Sequence, residues 1–274
     1  MERPAVKWKV VAQVGGVFVV LWGLSLGLVP WISYWGVGAT GILSLVAIGF
    51  GIYIWRLTRK SQAIVDILKN ATDDEGRMAA LAKLGEGKAG DAMKNLARAQ
   101  LLARDDPPEA IRVLESIDLK KAPAVVQDDV RANLALMYLM NNRTRDAREL
   151  ADEIRLDRQP QPKAKAMYAA VVAESFARTG NSDEAKKLLE TYDSEDPEYG
   201  EMRAMLYRAQ VFTYMSTKNR GLAKSAMQKL GALDPNMVAA FAVKASNPEL
   251  AKMARQVLQS AGAIPKQKVK MLRR

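Results

Sequence analysis

The sequence predicts an all-α chain: a hairpin of two apolar helices, intended for a membrane, followed by an α-solenoid of antiparallel helix pairs. Three observations predict it. Between Val10 and Trp55 there is no Asp, Glu, Lys or Arg, and this stretch holds two runs of 20 residues, Val10–Val29 and Gly36–Trp55. From Ser61 onward apolar residues recur at helical spacing, with Gly, Pro, Asn and Asp at regular breaks. Within that region, blocks centred on Ala147, Ala185 and Ala223 repeat every 38 residues.

The two runs come first. About 20 apolar residues in a helix span the roughly 30 Å hydrocarbon core of a bilayer. Pro30 and the short Trp31–Trp35 segment separate the runs, which makes them a candidate transmembrane hairpin with spans near 10–29 and 36–55. All five tryptophans lie in the first 60 residues. Trp8, Trp31, Trp35 and Trp55, with Tyr34 and Tyr53, fall at the expected interfaces, where amphipathic rings prefer the headgroup level. Trp22 lies mid-span and is expected to pack between the helices. Arg3, Lys7 and Lys9 precede the first span, while Arg56, Arg59 and Lys60 follow the second. The connecting loop is uncharged. Positive flanks favour the cytoplasmic side, so both termini are expected inside, most naturally at a bacterial inner membrane. A secretory signal ending near Val37-Gly38-Ala39 fits poorly, because its apolar region would span only about 7–15 residues. Gly23-x-x-x-Gly27 and Ala47-x-x-x-Gly51 permit close helix approach, either within the hairpin or between copies in a homo-oligomer. With no charged group inside either span, transport through the hairpin is not expected.

The net charge of +11 is unevenly placed. Residues 1–60 carry +5, the tail 264–274 carries another +5, and the region between them only +1. A generic basic nucleic-acid face is therefore not supported, and no nucleic-acid partner is expected. There is no Cys and no His, which removes disulfides, thiolate chemistry, Cys/His zinc sites and histidine acid–base catalysis.

The 38-residue blocks are specific in detail. The second block places Val172, Ala173, Phe176, Gly180, Ala185, Leu189, Tyr192 and Pro197 at offsets matched in the third by Gln210, Val211, Tyr214, Lys218, Ala223, Met227, Leu230 and Pro235. In the first block, Leu134, Ala135, Tyr138, Ala147, Ala151 and Ile154 fit, and Pro160 follows one place late. A weaker block centres on Ala110, with Ala97, Leu101, Leu114 and Ile117. Small residues at fixed offsets permit close helix approach, and the larger Tyr138, Phe176 and Tyr214 fill the gaps. One helix pair cannot bury its own face, so neighbours must stack. Thr72-x-x-Glu75, Pro107-Pro108, Ser182-Asp183 and Asn247-Pro248 mark helix starts. Asn247–Ala261 is expected to close the stack, and Leu57–Asn70 to continue the second span.

Over about residues 92–235 this pattern resembles the tetratricopeptide repeat family, most clearly from Phe176 through Gly180 and Ala185 to Asp196-Pro197. It departs from the family in its period, 38 rather than about 34, in an empty tryptophan position, and in having Gly180 as the sole turn glycine at its offset. The resemblance implies longer helices and a TPR-like repeat domain that binds protein. The expected organisation is 1–60 hairpin, 61–91 juxtamembrane linker, 92–263 repeat domain and 264–274 basic tail.

By offset, the concave face of such an array would show Asn133, Leu136, Leu139, Met167, Glu174, Arg178, Met205, Arg208, Phe212 and Met215. Leu136, Leu139, Phe212 and Met215 form an apolar strip suited to a helix or extended peptide. Some members of the family clamp a C-terminal carboxylate with Lys and Asn, but only Asn133 falls on such a place. Asp73-Asp74-Glu75 fits a helix N-terminus without any metal. Gly85–Gly90 lacks the Gly-Lys-Ser/Thr ending of a phosphate loop and is expected to be a turn. The tail Lys266–Arg274 fits a solvated end, a lipid-facing segment or a nucleic-acid arm, with the solvated end as default. No catalytic set, cofactor or metal site emerges. The expectation is a non-catalytic, membrane-anchored scaffold or adaptor that recruits a protein partner at the cytoplasmic face. The alternative is a structural or membrane-shaping oligomer in which the hairpin is active and the repeats are spacers.

Overall fold

The computed structural model describes residues 8–27, 35–69, 71, 73–85, 91–244 and 247–262. It divides into two units, Met1–Asn70 and Ala71–Arg274, each described by itself.

The first unit holds α1 (Trp8–Gly27) and α2 (Trp35–Lys69), the latter one continuous 35-residue helix that carries the second apolar run on through Leu57–Lys69. The two helices meet at Trp22, whose Nε1 donates to Ser44 Oγ at 3.2 Å; Ser44 Oγ in turn donates to the Thr40 carbonyl at 2.8 Å. Trp22 therefore does bridge the helices, held by a polar contact. A Cβ added at Gly23 or Gly51 would meet nothing within 4 Å, so neither of these glycines is needed for close approach within the hairpin. Val19 and Leu45 are more than two-thirds exposed. Among the described residues, no helix is long and apolar enough to cross a membrane. The turn expected at Pro30 and Trp31 lies outside the described residues, as do Asn70, Thr72, the segment 86–90 and the tail. The side chains of Trp8, Trp55, Arg56, Arg59 and Lys60 are also outside them, while Trp35 is exposed.

The second unit opens with α3 (Asp74–Leu84). Its cap is Asp73, which accepts from the Gly76 amide at 2.7 Å, one place later than the expected cap at Thr72. Asp74 pairs with Arg77. The acidic run is thus spent on the helix terminus.

Five helix pairs follow: α4 (Ala92–Leu102) with α5 (Pro107–Glu115), α6 (Ala124–Met140) with α7 (Thr144–Glu153), α8 (Pro162–Arg178) with α9 (Ser182–Thr191), α10 (Arg203–Ser216) with α11 (Arg220–Leu233), and α12 (Pro235–Lys244) with α13 (Pro248–Ser260). The period is visible in the backbone itself. Asn142, Gly180 and Lys218, spaced by 38, all adopt positive φ, at 61°, 96° and 59°. Beside each, one amide reaches back to the carbonyl of the large residue: Arg143 to Tyr138 at 2.8 Å, Asn181 to Phe176 at 2.9 Å, Asn219 to Tyr214 at 2.7 Å. This left-handed helix stop satisfies orphan carbonyls and turns the chain back on itself. Gly180 adopts the conformation at no steric cost, whereas Asn142 and Lys218 pay for a Cβ there.

The three turns are alike, so the extra length over the usual repeat lies elsewhere. It is found in α6 and α8, 17 residues each, and in connections that include short 3-10 segments at Leu156–Arg158 and Pro197–Met202. The repeated small residues sit at the closest approaches: Ala110, Ala135, Ala147, Ala173, Ala185, Val211 and Ala223 are all fully buried. One core group runs from α4 to α10 and a second from α10 to α13, with Phe212 and Met237 touching both.

Pro235, whose offset matches the proline that closes a tetratricopeptide unit, does not close the last block; it opens α12, the first helix of a fifth pair, so the terminal helix is not alone. The device recurs. Asp106, Asp196, Asp234 and Asn247 each precede a proline and accept a backbone amide two or three residues on, at 3.0, 2.8, 2.9 and 2.9 Å. Proline at the first helical position gives up a hydrogen bond no helix makes there, and the cap satisfies the next donors.

Candidate functional site

Two clefts lie along the first helices of the pairs. The larger, about 340 Å³, is walled by Ala99, Gln100, Ala103 and Arg104 around the end of α4, Pro107 and Leu114 of α5, and Asn133, Leu136, Met137, Met140 and Asn141 on α6 and its end. Its walls are chiefly apolar because α4 offers alanines where α6 offers Leu and Met. Gln100 Nε2 and Asn133 Oδ1 meet at 3.4 Å across it, and Asn133 Nδ2 is held by the Asp129 carbonyl at 2.8 Å. Met140, nearly half exposed, also borders the second cleft. That one, about 60 Å³, is lined by Leu139, Met140, Asn142, Arg178, Arg208, Phe212, Ala240 and Phe241.

Residues 101–171 match the tetratricopeptide repeat family. No curated protein and no solved structure matches the chain. The tetratricopeptide match runs from the end of α4 into α8 and so covers much of the larger cleft. The match supports a tetratricopeptide-like chain, and the all-helical pairs beyond residue 171 fit an α-solenoid. Tetratricopeptide repeats generally mediate protein–protein interaction and are generally non-catalytic.

The residues expected on the concave face fall into three places. Asn133 and Leu136 line the larger cleft. Leu139, Arg178, Arg208 and Phe212 come together at the smaller one, with Glu174 buried beside the two arginines. Met167 packs with Ala132, Ala151, Ile154, Tyr168 and Val172, Met205 is in the main core, and Met215 packs on the last core group. These three methionines reach neither cleft.

The smaller cleft rests on a buried ion triad. Glu174 Oε2 accepts from Arg208 Nε at 2.7 Å, and Oε1 accepts from Arg208 Nη2 and Arg178 Nη1, both at 2.9 Å. Arg178 also donates to the Leu139 carbonyl at 2.7 Å and to Asn142 Oδ1 at 2.8 Å, which ties α8 to the left-handed turn of the pair before it. Its guanidinium lies 4.6 Å from the Phe212 ring centre, and Arg208 lies 5.3 Å from that of Phe241. Burial pushes the Glu174 carboxyl up, but the two guanidiniums, Arg208 foremost, pull harder and hold it below the usual carboxylate range. Burial also lowers the Arg178 guanidinium, against the Glu174 carboxylate.

Two further polar ties join neighbouring pairs. Tyr138 Oη donates to Glu115 at 2.6 Å under the Arg143 guanidinium, and burial together with that carboxylate pushes the phenol up to about 12. Tyr168 donates to Asp129 and accepts from Gln159 Nε2 at 3.0 Å; burial raises the Asp129 carboxyl above its ordinary value despite this bond.

Sequence reasoning missed Gln100, Met140, Asn142, Ala240 and Phe241. Carrying the repeat offsets back through the weak Ala110 block points to α4 as a wall. Nothing comparable marks Phe241, because α12 starts at Pro235, a residue whose offset equally fits the end of a repeat.

Proposed function

We propose that the chain is a membrane-anchored tetratricopeptide-like scaffold, which recruits a protein partner to the cytoplasmic face and holds it along the first helices of the stack. The observation that carries the reading is the apolar cleft between α4 and α6. It is a preformed hollow on a face that stacked repeats ordinarily use for binding. Leu136, Met137 and Met140 supply adaptable apolar surface there, and Gln100 and Asn133 supply polar contacts that fix orientation. Anchoring rests on sequence: two charge-free runs of spanning length, with basic flanks on one side. Tethering raises the local concentration of a partner at the bilayer without further contacts.

Replacing residues 10–55 with an unrelated two-span hairpin tests this. A scaffold keeps its partner and its cellular role after the exchange and loses both on Leu136→Asp. The reverse pattern, with function following the native hairpin and indifferent to Leu136, supports the membrane-shaping alternative and overturns the scaffold.

A further inference from the structure

The smaller cleft holds more positive charge than its own residues neutralise. Arg178 and Arg208 face a single carboxylate, Glu174, and all three side chains are at least nine-tenths buried. Glu174 spends both oxygens on the pair. Among the described residues, Arg208 Nη1 has no hydrogen-bond partner, although Arg208 lines the cleft. Nη1 is not among the sealed, unpartnered atoms, so this donor on a largely buried guanidinium is open to the cleft and favours an anion, because a charge-assisted hydrogen bond is strong in a partly desolvated site.

We propose that this cleft is the receptor for one acidic side chain of the partner, a carboxylate on a methylene stem entering between Met140, Phe212 and Phe241 to meet Arg208 Nη1. The proposal rests on the scaffold reading, because a protein partner supplies the side chain. The cleft is small and open on one side, about 60 Å³, and takes a slender group such as CH2–COO. A chain terminus would set its own amide against the apolar wall of Met140, Phe212 and Phe241. The aromatic rings and Met140 suit the apolar stem, while Arg178, already engaged by Leu139, Asn142 and Glu174, stays in place as the neighbouring charge.

The test is arginine Nε–Hε NMR on the full chain in neutral detergent, with three probes at equal ionic strength. These are N-acetylglutamate α-amide (side-chain carboxylate only), N-acetylglutamine amide (its neutral isostere) and N-acetylalanine (terminal carboxylate only). The glutamate probe is expected to shift the Arg208 signal saturably, with the other two at least roughly tenfold weaker, a difference of about 1.4 kcal/mol. Ala240→Leu, which fills the cleft and leaves the triad untouched, is expected to keep the native arginine signals and abolish the response. A response to N-acetylalanine equal to that of the glutamate probe overturns the side-chain assignment. No saturable response to any probe, or one that survives Ala240→Leu, overturns the cleft as a receptor. If the partner is still retained in a Leu136-dependent way, that failure leaves the scaffold reading standing. If partner retention is also lost from the unmodified chain, the scaffold reading fails separately.

Discussion

Neutralising Glu174 should destabilise the stack more than any other single polar change. In Glu174→Gln the shape of the side chain is kept, but two guanidiniums remain buried against each other with no counter-charge. Three charge-assisted hydrogen bonds at 2.7 to 2.9 Å are weakened or lost. Taken singly, such bonds contribute about 1.5–3 kcal/mol each, but the desolvation of the triad offsets part of the sum. Breaking a buried pair by removing one partner costs about 3–5 kcal/mol, which for a unit of this size lowers the thermal midpoint by about 6–20 °C. The assay is thermal and urea unfolding of the full chain followed by circular dichroism. A charge-free triple variant, Glu174→Leu with Arg178→Met and Arg208→Met, should recover most of the loss, because apolar replacements of similar volume are often neutral. The pH dependence has a definite sign. The Glu174 carboxyl lies below its ordinary value of 4.5 in the folded chain, so its contribution is fully present above that pH. It should be lost as pH falls toward the native value, and Glu174→Gln should flatten that limb. A cost under about 1 kcal/mol for Glu174→Gln, below the range for a broken buried pair, would refute the claim that the triad fastens α8 and α10 together.

Other substitutions test the turns and the close approaches. Gly180→Ala places a Cβ at φ 96° and should cost about 1–2 kcal/mol in urea unfolding. Lys218→Gly removes the same strain at φ 59° and should stabilise by up to about 1 kcal/mol, the opposite sign at the equivalent position. Ala185→Leu drives a large side chain into a fully closed helix contact and should cost at least about 1–3 kcal/mol. Asp129 is raised in the folded chain, so ionising it works against folding as pH rises through that range; Asp129→Asn should therefore make stability less pH-dependent there, read by midpoints from pH 4 to 7.

Much of the repeat was legible in the chain because its spacing is enforced by geometry that tolerates few residue types. Ala147, Ala185 and Ala223 recur because helix backbones approach there, and the large residues Tyr138, Phe176 and Tyr214 recur because each precedes the same left-handed stop. Gly180 announced that stop, but Asn142 and Lys218 did not, since neither residue type requires positive φ. Pro235 misled because a proline ends one helix and begins another equally well, and only the cap at Asp234 distinguishes the two. The lining of the clefts was partly legible. Asn133 and Leu136 reach the larger cleft, but Met205 and Met167 turn inward, since a small rotation of a first helix moves a residue from face to core. Glu174 and Arg178, four apart on α8, are a pair any helix reading finds. Arg208, on another helix, joins them only through the stacking of pairs, which no local rule supplies.

Photo-crosslinking in cells from a benzoylphenylalanine at Met140 shows whether the first-helix clefts hold a protein. This side chain borders both clefts and is nearly half exposed. The matched control is the same group at Lys187, exposed on α9. One discrete protein adduct is expected from Met140, absent from Lys187 and lost on Leu136→Asp. Equal adducts from both positions, or none from Met140 where the chain is expressed and anchored, would contradict a protein held in the clefts.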